Sequence, residues 1–391
     1  MAAPRSVLVV GAGILGLSVA WQLAEQGHQV TVVDPAGAGG GEGSGSRAAL
    51  GLLMAQVFHR SSGRAWRLRQ QSHQLWRHWL ATLAERAHAV AYRPGLLLLA
   101  AEPRDLHLQA RILADRQPMG MPMRQLAASE LQALVPQLPG APLGGLFSPQ
   151  DGQVDPVQLM AALLQEARAA GAVCLADRAV EIRRGQRWRL ELAGGDRLAA
   201  HWLVLCLGLA TAPLLAGLGH GLELEPVLGQ ALELDLGGDP GWGWPGAVVW
   251  RGMNLVPRPD LGGSGGRLWL GATLEPGLVA HEEALNRLRS LEGAAPAWLR
   301  QAAVVRQWQG WRCKPANQPA PVLAEPEPGL LVLTGHYRNG VLLAPASAAW
   351  ACERVGETSP APKRSPAVLP SERMEAEPGS DAPQRPPHRI V

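Results

Sequence analysis

Residues 6–35, SVLVVGAGILGLSVAWQLAEQGHQVTVVDP, decide the fold. Val7 to Val10 is an unbroken run of β-branched and aliphatic residues, as in a strand covered on both faces of a parallel sheet. It runs straight into Gly11-Ala12-Gly13-Ile14-Leu15-Gly16, after which Leu15, Val19 and Leu23 recur at four-residue spacing along a predicted helix. Gly27 stops that helix, Val30 to Val33 forms a second strand and Asp34 closes it. Gly11 permits the tight turn out of the strand, Gly13 lets backbone approach a pyrophosphate, and Gly16 lets helix and strand pack closely. The helix start offers that pyrophosphate free amides and the positive end of a dipole. Asp34 is placed to accept hydrogen bonds from ribose hydroxyls, which favours an unphosphorylated ribose. With 46 glycines in 391 residues, the glycine spacing alone decides little. The order strand, glycines, helix, stop, strand, acid is what specifies a dinucleotide-binding βαβ unit.

Working outward, 391 residues exceed what one hydrophobic core usually supports, so two domains are expected. A 47% hydrophobic and 18% charged composition fits a globular protein. The formal charge is +3 and no block of Lys or Arg occurs, which argues against a nucleic-acid or anionic-membrane partner. Lys314 and Lys363 are the only lysines, leaving Schiff-base chemistry almost no nucleophile. Cys174, Cys206, Cys313 and Cys352 form no CxxC pair and have no histidine at metal-ligand spacing; reduced thiols in a cytoplasmic protein and no metal site are expected. Three glycines and Gln22 interrupt the apolar run Ser6 to Ala24, and no small-residue cleavage motif follows it. Neither a secretory leader nor a membrane span is expected.

The 6–35 stretch resembles the opening of the D-amino-acid-oxidase family of FAD-dependent oxidoreductases. Gly45-Ser46-Arg47-Ala48-Ala49-Leu50-Gly51-Leu52-Leu53 is similar to the small-residue segment that passes beside the FAD diphosphate and flavin in that family. Composition alone reads residues 36–46 equally well as a flexible Gly/Ser loop. Gly335-His336-Tyr337-Arg338-Asn339-Gly340-Val341-Leu342-Leu343-Ala344-Pro345 resembles the glycine oxidase branch. It follows a buried-strand run, Leu330 to Thr334, and precedes a predicted helix from Val341 to Trp350.

The resemblance implies FAD, held by Gly11, Gly13, Ile14, Gly16 and Asp34, by Ser46, Arg47, Ala48, Ala49 and Gly51, and by His336, Tyr337, Asn339, Gly340 and Val341. The amides of Gly340 and Val341 would face the pyrimidine end of the flavin, where negative charge accumulates on reduction. No Cys or His is placed for covalent attachment, so the FAD is expected to be non-covalent, and His336 is expected to be structural or flavin-adjacent rather than a general base. Arg338 and Arg312 are the candidates for gripping a substrate carboxylate. Asn254 is the third catalytic candidate; it stands where the branch has a tyrosine, ahead of Leu255-Val256-Pro257-Arg258, which leaves pocket size and substrate preference open.

The expected fold class is α/β, a discontinuous Rossmann-type FAD-binding domain with an α+β substrate domain built on an antiparallel sheet. Residues 1–60, 141–225 and 309–353 are assigned to the first, residues 61–140 and 226–308 to the second, and residues 354–391 to a disordered tail rich in proline and charge. Within the first, Asp151-Gly152 reads as a turn, and Asp155, Pro156 and Gly171 bound a helix. Strand-like runs follow at Ala179 to Ile182, Trp188 to Leu192 and Trp202 to Cys206. Within the second, Leu68, Leu75, Trp76, Trp79, Leu80 and Leu83 mark one face of a long helix. The implied activity is oxidation of glycine, sarcosine or a small D-amino acid to the imine, with O2 reduced to H2O2. In the glycine oxidase branch that imine serves thiazole synthesis in thiamine biosynthesis. The competing readings are a dehydrogenase passing electrons to a quinone or protein acceptor, and a non-catalytic flavin-binding protein; homo-oligomerisation is left open. Truncation at residue 356 is expected to leave flavin content unchanged, as read from flavin absorbance per mole of protein, and loss of flavin would contradict the tail assignment.

Overall fold

The computed structural model describes residues 3–37, 41, 43–261 and 265–357. Of the expected tail, residues 358–391 lie outside these. Residues 354–356 prove to be the end of the last helix, Gly340–Gly356, which runs six residues beyond the predicted Trp350 because Ala351, Cys352 and Val355 continue its buried face.

The glycine-rich loop belongs to a six-stranded sheet. Its order is Val322–Glu327, Leu330–Thr334, Trp202–Leu205, Ser6–Val10, Gln29–Val33 and Val173–Leu175. All neighbours run parallel except the first pair. Ser6–Val10 lies between the strand that follows it in sequence and one about 190 residues away, Val10 facing Val33 on one side and Leu205 on the other. The strand order reverses there, and such a switch point opens a crevice beyond the carboxyl ends of the strands. Ile14–Glu25, Gly63–Glu85, Pro156–Ala169 and Gly340–Gly356 pack on one face of this sheet around Val9, Leu17, Trp76, Trp79, Leu163 and Leu343. The tryptophan pair of the long helix is core, as the spacing predicts, with Trp21 edge-on to Trp79 at 5.0 Å between ring centres. A three-stranded meander, Ala179–Arg183, Trp188–Leu192 and Arg197–Ala200, covers the other face through Trp188, Leu190 and Ile182.

Ten strands among the described residues form a second, mostly antiparallel sheet, with one parallel pair between Ala247–Trp250 and Tyr92–Ala100. Its longest strand, Ala303–Pro315, pairs with Leu224–Asp235 along its whole length, running through the division expected at 308/309 and carrying Arg312 onto this sheet. Asp151-Gly152 is a correction: both residues lie inside the strand Gly144–Val154. Gly152 serves close approach there, since a Cβ would stand 2.6 Å from Arg93 O, and the buried Asp151 carboxylate accepts the amides of Ala55, Gln56 and Val57 at 2.7–3.1 Å.

Asp155 caps the Pro156–Ala169 helix as predicted, accepting the amides of Val157 and Gln158 on Oδ1. Its Oδ2 accepts from Arg258 Nη2 at 2.7 Å, and Asp260 takes the same nitrogen at 2.6 Å. Arg258 is fully buried and lies 3.7 Å over the Trp269 ring, so one guanidinium joins the helix cap to the antiparallel sheet.

Candidate active site

Gly11 leaves the first strand with φ +102°, its amide donating to Val33 O at 2.8 Å. A Cβ on Gly11 would stand 2.6 Å from Cys206 O, and one on Gly16 only 1.8 Å from Gly11 O. Both positions therefore exclude any side chain. A Cβ on Gly13 would stand 3.1 Å from Ser46 Oγ, tighter than an ordinary contact, so this glycine lets the Ser46 hydroxyl close on the helix start. The helix that follows has no side-chain cap from Gly13; instead Ser46 Oγ accepts the Ile14 amide at 3.1 Å. Asp34 braces the loop, Oδ2 accepting Ala12 N at 2.8 Å and Oδ1 accepting Ala36 N at 2.9 Å. One acceptor position per oxygen is still open for ribose hydroxyls.

The 43–51 segment lies between this loop and the strand Ala303–Pro315. Trp308 Nε1 donates to Ala48 O at 3.1 Å and Trp311 N to Gly43 O at 3.2 Å, while a Cβ on Gly310 would come 2.4 Å from that of Ala48. Small residues at 43, 48 and 310 thus set the spacing of the two layers. Ala49 is half-buried and Gly51 buried; Arg47 is exposed, and its amide donates to Ser44 Oγ at 3.2 Å.

Tyr337 N donates to Cys313 O at 3.0 Å, which brings the 335–341 loop against the residue next to Arg312. Gly335 and Tyr337 both have positive φ, +66° and +53°, so the loop reverses sharply before its helix. Leu343 N donates to Asn339 O at 2.8 Å, placing Asn339 at the cap and Gly340 and Val341 in the first turn. His336 Nε2 lies 2.8 Å from Ser347 Oγ, whose hydroxyl donates to Leu343 O, so Nε2 carries the hydrogen. Burial lowers the His336 pKa to about 3, leaving a neutral imidazole too weakly basic for proton abstraction.

Arg312 is half-buried, and its Nη1 donates to Leu228 O at 3.2 Å and Thr273 O at 3.0 Å. Burial first, and then the Arg338 charge, lower its pKa to about 10, so it stays cationic at neutral pH. Arg338 is exposed to solvent, and its pKa is also lowered, chiefly by the protein packed around it. Among the described residues no carboxylate forms an ion pair with either guanidinium. Two mutually repelling cations on adjoining segments are the arrangement that a bound anion relieves. Asn254 shares the sheet face of Trp308 and Arg312, through the register Asn254, Gly271, Ala231, Trp308, but Nδ2 donates to Gly271 O at 3.0 Å and does not reach either arginine.

Reading the sequence alone passes over three polar supports. Asp151 binds the amides of residues 55–57, Arg116 donates to the carbonyls of Gln56, Phe58 and Arg60, and Arg69 donates to Asn339. The last had a signal: Trp66, Arg69, His73 and Trp76 are one buried helical stripe, and an arginine within it calls for a partner.

The two glycines that exclude a Cβ, the bare backbone of Gly13 at the helix start and the braced carboxylate suit an adenine dinucleotide such as FAD. Comparison with known proteins agrees. Residues 6–354 match the family model described as DAO, FAD dependent oxidoreductase. Glycine oxidase of Geobacillus kaustophilus is 31% identical over 356 residues, covering 87% of this chain and 89% of that protein. D-amino acid dehydrogenase 3 of Mesorhizobium japonicum is 28% identical, covering 88% and 95% respectively. The crystal structure of the Geobacillus kaustophilus glycine oxidase superposes with a TM-score of 0.80 at 29% identity, covering 91% of this chain and 96% of that one. The chain belongs to the DAO family of FAD-dependent oxidoreductases.

Proposed function

We propose that the enzyme oxidises glycine or another small amino acid or amine, such as sarcosine or a small D-amino acid, to the imine, which water then hydrolyses, with O2 reduced to H2O2. The observation that carries this reading is the Arg312–Arg338 pair without a carboxylate partner. Arg312 spends Nη1 on two backbone carbonyls, and no hydrogen bond from its Nε or Nη2 forms among the described residues. That edge presents two parallel N–H groups, the pattern a carboxylate accepts. Gripping the carboxylate there would fix the orientation of the substrate Cα–H. FAD, when bound, supplies the two-electron acceptor.

The same reading gives the Gly11–Gly16 loop the diphosphate, Asp34 the ribose, residues 46–51 the passage toward the flavin, and the amides of Gly340 and Val341 its pyrimidine edge. Both sheets then contribute: the parallel one holds the cofactor and the antiparallel one presents Arg312 and Asn254. Gly16→Ala is expected to yield colourless protein, because the new Cβ would overlap Gly11 O; flavin absorbance at wild-type stoichiometry would contradict the diphosphate assignment.

Similarity to a D-amino acid dehydrogenase favours a second reading, in which electrons pass to a quinone or protein acceptor. Peroxide formed per amine consumed separates the two: near one for the oxidase, near zero for the dehydrogenase. No helix among the described residues is long and apolar enough to cross a membrane. The four free thiols are what support a reducing compartment, the cytoplasm, for the enzyme.

A further inference from the structure

The last helix begins in an unusual way. Asparagine is among the strongest helix N-caps, its side-chain oxygen ordinarily taking the second or third amide of the first turn. Asn339 makes no such bond, and its backbone, φ −118° and ψ 19°, is not the extended conformation of a capping residue. Its Oδ1 instead accepts from Arg69 Nη2 at 2.9 Å. Arg69 comes from the middle of the Gly63–Glu85 helix, is buried, and has no carboxylate ion pair among the described residues. Its guanidinium lies 3.8 Å from the Phe58 ring centre, and Phe58 is itself fixed through its carbonyl by Arg116 Nη2 at 2.6 Å. Asp151 lies near enough to favour its charge, but burying a cation without a direct ion pair is still costly, so its position asks for a role beyond packing.

We propose that Arg69 is a positioning residue that draws the Asn339 side chain off the helix start and so keeps the amide of Val341, one of the two assigned to the flavin, open. This rests on the reading that the first turn of that helix faces the pyrimidine edge. Without Arg69, Asn339 would be free to turn into the capping conformation and compete with the cofactor for that donor.

The test is a cycle of FAD dissociation constants on reconstituted full-length protein. Arg69→Ala is expected to weaken FAD binding about fivefold to tenfold. Asn339→Ala, which has no capping oxygen, is the reference background, and Arg69→Ala/Asn339→Ala should bind FAD within about twofold of it. A double variant that falls below Asn339→Ala by about the same factor as Arg69→Ala falls below wild type overturns the proposal, because a purely structural or electrostatic Arg69 acts whether or not the Asn339 side chain is present. Arg69→Met, which keeps the apolar stem over Phe58, replaces alanine in the cycle should Arg69→Ala fail to fold. Gly340→Pro deletes one first-turn amide where proline is best tolerated. Unchanged FAD affinity in that variant overturns the underlying reading of the helix start; weakened affinity there with an undiminished Arg69 effect in the Asn339→Ala background overturns the role of Arg69 alone.

Discussion

Replacing Arg312 with alanine is expected to lower kcat/KM for a carboxylate-bearing amine by about a thousandfold, on the order of 4 kcal/mol, while flavin content stays unchanged. The size follows from position. Arg312 is held by two carbonyls on one nitrogen, so its remaining N–H groups are already oriented, and the cation next to it worsens the site until an anion arrives. Arg312→Lys should recover little, because a single ammonium cannot reproduce two parallel donors. Arg338→Ala should cost less, since Arg338 meets solvent and makes none of those fixing bonds. Steady-state kinetics on both variants give the order; equal and small losses would remove Arg312 from the carboxylate site.

The second large effect concerns stability. Arg258→Ala is expected to cost about 3–5 kcal/mol, because it strands two carboxylates, one of them nearly buried, and removes the stack on Trp269. Asp155 would keep its cap bonds but lose the bridge to the antiparallel sheet. Adding Asp155→Asn and Asp260→Asn to that variant should restore part of the loss, as the uncompensated charge disappears. Burial raises the Asp260 pKa, but the Arg258 guanidinium outweighs it and holds the carboxyl below its ordinary value. A depressed folded-state pKa stabilises above the unfolded value, near 4, and that contribution fades as pH falls through the folded one. Wild type and Arg258→Ala should therefore converge in thermal stability on acidification. A variant that melts with wild type at neutral pH would show the ion pair to be dispensable.

The parts of the fold legible in the sequence are those where one local rule decides. Val7–Val10, the glycine loop, Gly27 and Asp34 announce a parallel βαβ unit because each residue does a task no other type does there. The Asp155–Pro156 helix start is equally plain. Asp151-Gly152 misleads because the dipeptide that favours a turn also suits an acid buried beneath a loop and a glycine pressed against the neighbouring strand of its sheet. The run to Gly356 was masked by Arg354, a charge that reads as tail until Val355 is seen to face the core. Arg338 and Arg312 could be named, but not told apart: their exposure differs through strand pairing and loop reversal more than three hundred residues from the chain start. Arg69 and Asn339 lie 270 residues apart, and nothing local in either signals the other.

The central claim is that this chain binds FAD and uses it to oxidise a small amine, and an anaerobic absorbance titration of the purified protein with glycine, sarcosine and small D-amino acids tests it most directly. The account predicts an oxidised flavin spectrum that one of these amines bleaches, returning with H2O2 when air is admitted. A flavin that none of them bleaches, or a protein that cannot be reconstituted with FAD, would contradict it.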